Sequence, residues 1–497
     1  MKDTASRPLS WLTLALMNVA AVASIRTLPG MAMYGLGSVL LFVLPALLFF
    51  IPAALVTAEL GSTWRGGIYG WVRQAFGERA GFAASWLMWV QAALLLPVIL
   101  AFGADTLAYL FNPALAGNGA FTAGVVVVSI WLITLLALRG VEALARLSSL
   151  FMLIGTLLPA LLLSALAVHA LMGGMPSSTP LHMAALWPQL EGGGVLAGHG
   201  KGAASLWQHF EGDLASLVLI VSCFLAYSGI EVNAVYARRL ADPVAGMRRA
   251  LILCVLLTLL IFIPPTLAIA TAVPAHEISL TVGVMQAFAA VLTGSLAPWL
   301  KPVGLMLIVG VFGSMLTWVA GSAKGLQYAG RAGLLPPWFQ RENRAGMPAN
   351  IMCLQALVVS LISSVYVLIP DVSAAFWLLS ALAAQLYLVV YLLMFASALH
   401  LRRSQPSVTR GYRLGRLPLV ASTGAAASLF ALLLGFIPPS SEHFPLSAPG
   451  YAALLCGLLV LAALPPFVFY ARKQPAWQLA PPETAAADYA PLEQDSR

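Results

Sequence analysis

Asn18-Val19-Ala20-Ala21-Val22-Ala23-Ser24-Ile25-Arg26-Thr27-Leu28-Pro29-Gly30 runs small residues into an arginine and a Pro-Gly pair in the middle of an apolar stretch. Far along the chain, Ala226-Tyr227-Ser228-Gly229-Ile230-Glu231-Val232-Asn233 sets Ser-Gly before a glutamate in similar surroundings. Backbone freed from the helix ladder inside hydrocarbon is tolerated only around a protected cavity. The two segments occupy the first and sixth of a series of apolar runs, corresponding places in two five-helix halves. Gly and Pro are common in membrane helices, so either break alone says little. Matched breaks in both halves are the trace of inverted repeats whose interrupted helices meet near the bilayer midplane.

The rest of the chain agrees with a membrane setting. Of its 497 residues, 60% are hydrophobic and 9% charged, with a mean hydropathy of +0.90. Soluble domains carry about 25% charged residues. Charge-poor runs long enough to span a bilayer recur at 10 to 34, 36 to 60, 81 to 110, 120 to 138, 147 to 172, 214 to 236, 249 to 272, 300 to 325, 349 to 369, 372 to 399, 418 to 438 and 450 to 471. The expected fold class is an all-α multi-pass protein of about twelve transmembrane helices. Lys2 and Arg7 ahead of the first run imitate a signal peptide, but the length of that run and the spans behind it predict retention.

Arginines crowd alternate gaps: Arg65, Arg73 and Arg79; Arg139 and Arg146; Arg238, Arg239, Arg248 and Arg249; Arg331, Arg341 and Arg344; Arg402, Arg403, Arg410, Arg413 and Arg416. The opposite gaps hold chiefly Lys201 and Lys301 amid Asp105, Glu191, Glu211, Glu277, Asp371 and Glu442. The positive-inside rule makes the first set cytoplasmic and places both termini inside. The pI near 9.5 follows from this asymmetry and gives no reason to expect nucleic acid as a partner.

The expected organisation is a cytoplasmic N-terminus at 1–9, a first repeat at 10–172, an external loop at 173–213, a second repeat at 214–399, two further helices within 400–472, and a disordered tail at 473–497. The loop carries Gly192 to Gly194, Trp187 and Trp207, a composition for a flexible connection with some interfacial helix. Residues from Glu277 to Leu292 are too short a run to cross and are expected along the outer surface. Cys223, Cys254, Cys353 and Cys456 lie in apolar runs without metal-ligand spacing and read as small hydrophobes. The histidines fall near span ends or in loops, and no nucleophile-base or His-Glu-x-x-His pattern suggests an enzyme. No cofactor or metal is expected; membrane lipid and a small solute are, with the protein a monomer or a homodimer.

N–H groups freed at one side of each break favour a carboxylate, and freed carbonyls at the other favour an ammonium. An amino acid presents both. The candidate binding residues are therefore Ala21, Val22, Ala23, Ser24, Ile25 and Arg26 with Tyr227, Ser228, Gly229, Ile230 and Glu231. A charge at membrane depth is costly unless paired or hydrated. Arg26 either receives a substrate side-chain carboxylate or pairs with Glu231 to hold the two helices in register.

Glu59-Leu60, Gly66-Gly67-Ile68-Tyr69-Gly70-Trp71-Val72, Ala75-Phe76-Gly77 and Gly81-Phe82 resemble the signature after the second helix of the amino acid-polyamine-organocation superfamily. Tyr227 to Glu231 with Asp242-Pro243, and Gly321-Ser322-Ala323-Lys324-Gly325 with Gly333-Leu334-Leu335-Pro336 and Gly346-Met347-Pro348, resemble its later signatures. Val273-Pro274, Glu277-Ile278, Gly283-Val284-Met285-Gln286-Ala287-Phe288 and Phe436-Ile437-Pro438-Pro439 look like its glutamate/γ-aminobutyrate antiporter branch.

The resemblance implies the leucine-transporter fold, with two inverted five-helix repeats plus two helices, alternating access and amino-acid exchange. It also implies that Trp318 on the eighth helix borders the site. The chain departs from that branch at Arg26, where an aromatic residue is usual, and at Arg239 and Ser314, where acids are usual. Its tail is short and acidic instead of a basic plug. The fifth span has no lysine or carboxylate for proton symport, and Ser314 with Thr317 offers hydroxyls to a sodium ion. Ion-coupled uptake therefore stands beside exchange, and a non-transporting amino-acid sensor is a further possibility on such a scaffold.

Overall fold

The computed structural model describes residues 9–186, 220–234, 240, 242–369, 371–438 and 447–478. Gly192 to Gly194, Trp187, Trp207, Arg238, Arg239, Pro439 and most of the tail lie outside the described residues. The described elements are helical, with one isolated bridge between Leu9 and Leu240. Eleven described helices are long and apolar enough to cross a membrane. They are α1 (Trp11–Ala32), α2 (Gly35–Thr63), α3 (Glu78–Phe111), α4 (Gly119–Ala137), α5 (Val141–Met172), α7 (Ala245–Ala272), α8 (Gly294–Leu334), α9 (Ala349–Leu368), α10 (Val372–Ser404), α11 (Leu417–Leu434) and α12 (Ala448–Ala471). The short helix α6 (Val221–Tyr227) takes the sixth place in the series.

Burial orders these helices. The apolar window of α3 is 94% buried and those of α1, α8 and α10 at least 72%, whereas that of α12 is 11% buried. Helix α3 packs against α8 and α10, while α1 packs against α5, α7 and α8. The central layer is therefore protein-faced on every side, and α12 leaves most of its apolar surface for lipid.

Proline shapes two spans in the same way. A wide turn at Ala46–Phe50 precedes Pro52, and another at Leu153–Leu157 precedes Pro159. Each proline lacks an N–H and crowds the carbonyl four residues back, and an extra residue in the turn relieves both problems. The second wide turn lets α5 touch α8 backbone to backbone: a Cβ at Gly155 would lie 2.0 Å from Gly310 N. Small residues at such crossings are how membrane helices gain close packing.

The signature residue Glu59 is a structural clamp. It is almost fully buried and holds two arginines from the end of α10 and the loop after it. Arg402 reaches it through Nη2 at 2.5 Å and Nε at 3.2 Å, and Arg410 Nε lies 3.2 Å away. The Leu414 N–H adds a bond of 2.8 Å to the same carboxylate. Both carboxylate oxygens are thereby occupied at a site where an unpaired charge would be costly.

Three expectations change. The segment after α7 does not cross, but it does not simply lie along the surface: helix Gly283–Val291 buries Val284, Met285, Ala287 and Phe288, and Gly283 sits against Pro29. Its apolar face is satisfied by the bundle instead of by the interface. Asp105, grouped with the acids of the external gaps, is completely buried within α3, whose observed end at Phe111 agrees with the expected span of 81 to 110. The first residues of the tail are held in place: Lys473 Nζ pairs with Glu78 at 2.9 Å, and Gln340 Nε2 donates to Trp477 O at 2.5 Å.

Candidate functional site

The first break is built from Ala23 and Ser24, both in extended backbone conformation, between Val22 and a tight turn at Ile25–Thr27. The N–H groups of Ser24, Ile25 and Arg26 have no acceptor among the described residues. The second break follows Tyr227: Ser228 is extended and Gly229 has φ +112°. Only glycine enters that region cheaply. A Cβ at Gly229 would also lie 2.9 Å from Trp318, so the position is closed to side chains on two counts.

Trp318 joins the breaks. Its indole N–H donates to Ala21 O at 2.9 Å, and its ring packs edge-on against Tyr387. The Gly229 N–H donates to the Tyr391 hydroxyl at 3.0 Å, and Asn233 Nδ2 donates to Asn18 Oδ1 at 3.0 Å. The expected meeting of α1 and α6 is thus present, and α8 and α10 close around it.

The two intramembrane charges do not pair. Glu231 accepts hydrogen bonds from the hydroxyls of Tyr387 and Tyr391, one on each carboxylate oxygen. These tyrosines are one helical turn apart on α10, which puts both on one face. Arg26 is 4% exposed, and its Nε has no hydrogen-bond partner among the described residues. It lines a small cavity with Thr27 and Gly30 of α1, Ser222 and Leu225 of α6, Leu280, and Phe376, Trp377 and Ser380 of α10. The internal Arg26–Glu231 pair considered from the sequence is absent from the described contacts: the tyrosines have taken the carboxylate.

That cavity measures about 20 Å³, room for one water. A second, of about 10 Å³, lies against Ala23, Ser24 and Ile25 and is completed by Phe102, Gly155, Thr156 and Ser314. A third, of about 270 Å³, lies beside Met33 to Leu36 with Ser178, Thr179 and Ala275. The two cavities at the breaks are each far smaller than an amino acid.

Several singled-out residues have structural employment. Tyr227 donates to Phe42 O at 3.1 Å and stacks on Phe50, which turns it toward α2. Ser228 Oγ donates to Phe224 O at 2.6 Å. Val22 and Ile230 are buried packing residues. Leu225 lines the Arg26 cavity.

A family model for amino acid permeases matches residues 9–460. The chain belongs to the amino acid permease family. This permease is 34% identical to an uncharacterized transporter of Legionella pneumophila over 92% of its own length and 95% of that protein. It is 28% identical to a glutamate/gamma-aminobutyrate antiporter of Lactococcus lactis, covering 91% of this chain and 88% of the relative. A probable agmatine/putrescine antiporter of Lactococcus lactis is 24% identical over 83% and 86% of the two chains. The family and these relatives are transporters, so the permease is a multi-pass membrane transporter of the amino acid-polyamine-organocation superfamily and not an enzyme.

Sequence reasoning missed Tyr391, Phe376, Trp377 and Ser380 as neighbours of the permease site. All four lie on α10, whose even hydrophobicity hides which face turns inward. Tyrosines spaced four apart in an otherwise apolar span were the available signal.

Proposed function

We propose that this permease exchanges amino acids across a bacterial plasma membrane by alternating access, with both termini cytoplasmic. We further propose that Arg26 receives the side-chain carboxylate of an acidic substrate such as glutamate, returned for a related amino acid or its decarboxylation product. The observation that carries the reading is Arg26 itself: a buried cation at the first break whose expected partner Glu231 is engaged elsewhere. A buried charge left unpaired is expensive, and an incoming carboxylate offsets that cost. The free N–H groups of Ser24 and Ile25 supply donors for the α-carboxylate, and Trp318 holds the two breaks together behind it. The antiporter names of the relatives support exchange, and their different substrates leave selectivity to residues such as Arg26.

Counterflow tests the reading. Purified protein in liposomes is loaded with single unlabelled amino acids, and entry of labelled glutamate is followed. Stimulation by particular internal amino acids is expected. Entry indifferent to the internal amino acid removes exchange and leaves ion-coupled uptake; binding without any entry leaves a sensor.

A further inference from the structure

Asp105 is a buried acid that neither break uses. It lies near the end of α3 with no solvent exposure. Its Oδ1 accepts from Thr122 Oγ1 of α4 at 3.2 Å, and its Oδ2 has no hydrogen-bond partner among the described residues. Gly117, in the connection from α3 to α4, and Thr281, in the connection from α7 to α8, face the carboxyl without closing onto Oδ2. The titratable and charged groups turned toward this region are Tyr366 at the end of α9, within electrostatic reach of Asp105, and Arg26, which Tyr366 also feels. The Tyr366 hydroxyl donates to Pro97 O at 3.3 Å, so it is spent elsewhere. No cation forms an ion pair with Asp105 among the described residues.

A carboxylate shut away from water with no cation beside it is costly, and a proton removes that cost. None of the three cavities described above borders Asp105. A proton needs no room. The two connections that cover the acid lie on the face opposite Ser10, so their parting gives it access to water on that side only.

We propose that Asp105 is a proton-binding site that must be filled for the permease to close: the carboxylate takes a proton from water on the face carrying Gly117 and Thr281, forming an O–H bond, and the helices then shut over the neutral acid. The inference rests on the exchange reading only for its transport readout. It adds a ligand and a side of the membrane to that reading.

The test uses oriented proteoliposomes with pH fixed on the Ser10 side and varied on the other. In the wild type, counterflow falls as pH rises on the Gly117 side, approaching about tenfold per unit for a single proton. Asp105→Asn, a permanently neutral mimic, runs at a rate flat across that range. Thr122→Val keeps the acid but removes a donor that favours its ionised form, so the midpoint of the pH response moves upward. Replacing sodium by potassium changes nothing. A flat wild-type profile, an Asp105→Asn variant that keeps the wild-type slope, an unmoved Thr122→Val midpoint or a sodium requirement would each overturn the proposal. Wild-type protein with no counterflow at any pH counts against exchange instead. The proton site is then read from thermal unfolding, where the wild type must lose stability relative to Asp105→Asn as pH rises and parallel curves would contradict it.

Discussion

Two helix breaks meet at the centre of this permease, each beside one buried charge, and the chain treats the charges oppositely. At the α6 break, Glu231 is provided for: two tyrosine hydroxyls from α10 occupy its oxygens, and Tyr391 also takes up the freed N–H of Gly229. At the α1 break, Arg26 borders a water-sized cavity with its Nε unpartnered among the described residues. The difference separates structure from recognition. A satisfied buried charge fixes one arrangement of helices, whereas an unsatisfied one creates affinity for what is brought to it.

The largest effect that can break this contrast is at the satisfied end. Glu231→Leu strands the hydroxyls of Tyr387 and Tyr391 in the core and should cost about 2–5 kcal/mol, read as a loss of thermal stability in detergent. Near-wild-type stability would mean that the tyrosines do not depend on the acid. Next comes Arg26→Ala, which should lower Vmax/KM for acidic substrates by about 10-fold to 150-fold, the worth of a hydrogen bond to a charged group, while sparing neutral substrates. An equal loss for both classes would make Arg26 structural.

A double-mutant cycle of Arg26→Gln and Glu231→Gln sharpens the comparison directly. The two charges share no partner among the described residues, so the stability effects should add within about 0.5 kcal/mol. A larger coupling would restore the ion pair. The smallest effect separates the tyrosines themselves: Tyr391→Phe should destabilise more than Tyr387→Phe, by about 1 kcal/mol, because it also strands the Gly229 N–H. Equal losses would remove the Gly229 bond from the account.

What the sequence revealed follows from the range of each signal. The apolar runs, the small residues before Arg26 and the Ser228-Gly229 step are local, and the helices and breaks came out close to where those patterns put them. Partners distant in sequence were not legible. Glu231 and its tyrosines are 156 and 160 residues apart, and nothing around Glu231 says that α10 rather than Arg26 will claim it. Glu59 shows the same limit: its signature was recognisable, but its arginines lie 343 and more residues away. Asp105 was misplaced for a third reason. Helix α3 is apolar on all sides, so its composition shows no inward face on which an acid would be buried.

The central claim, that Arg26 is kept free of Glu231 in order to bind a substrate carboxylate, is tested most directly by counterflow with wild type and Arg26→Ala side by side. Both are loaded with unlabelled amino acid and offered labelled glutamate or a labelled neutral amino acid. The account predicts exchange in both proteins, with the preference for glutamate present in the wild type and lost in Arg26→Ala. An unchanged ranking of acidic over neutral substrates in the variant would contradict it.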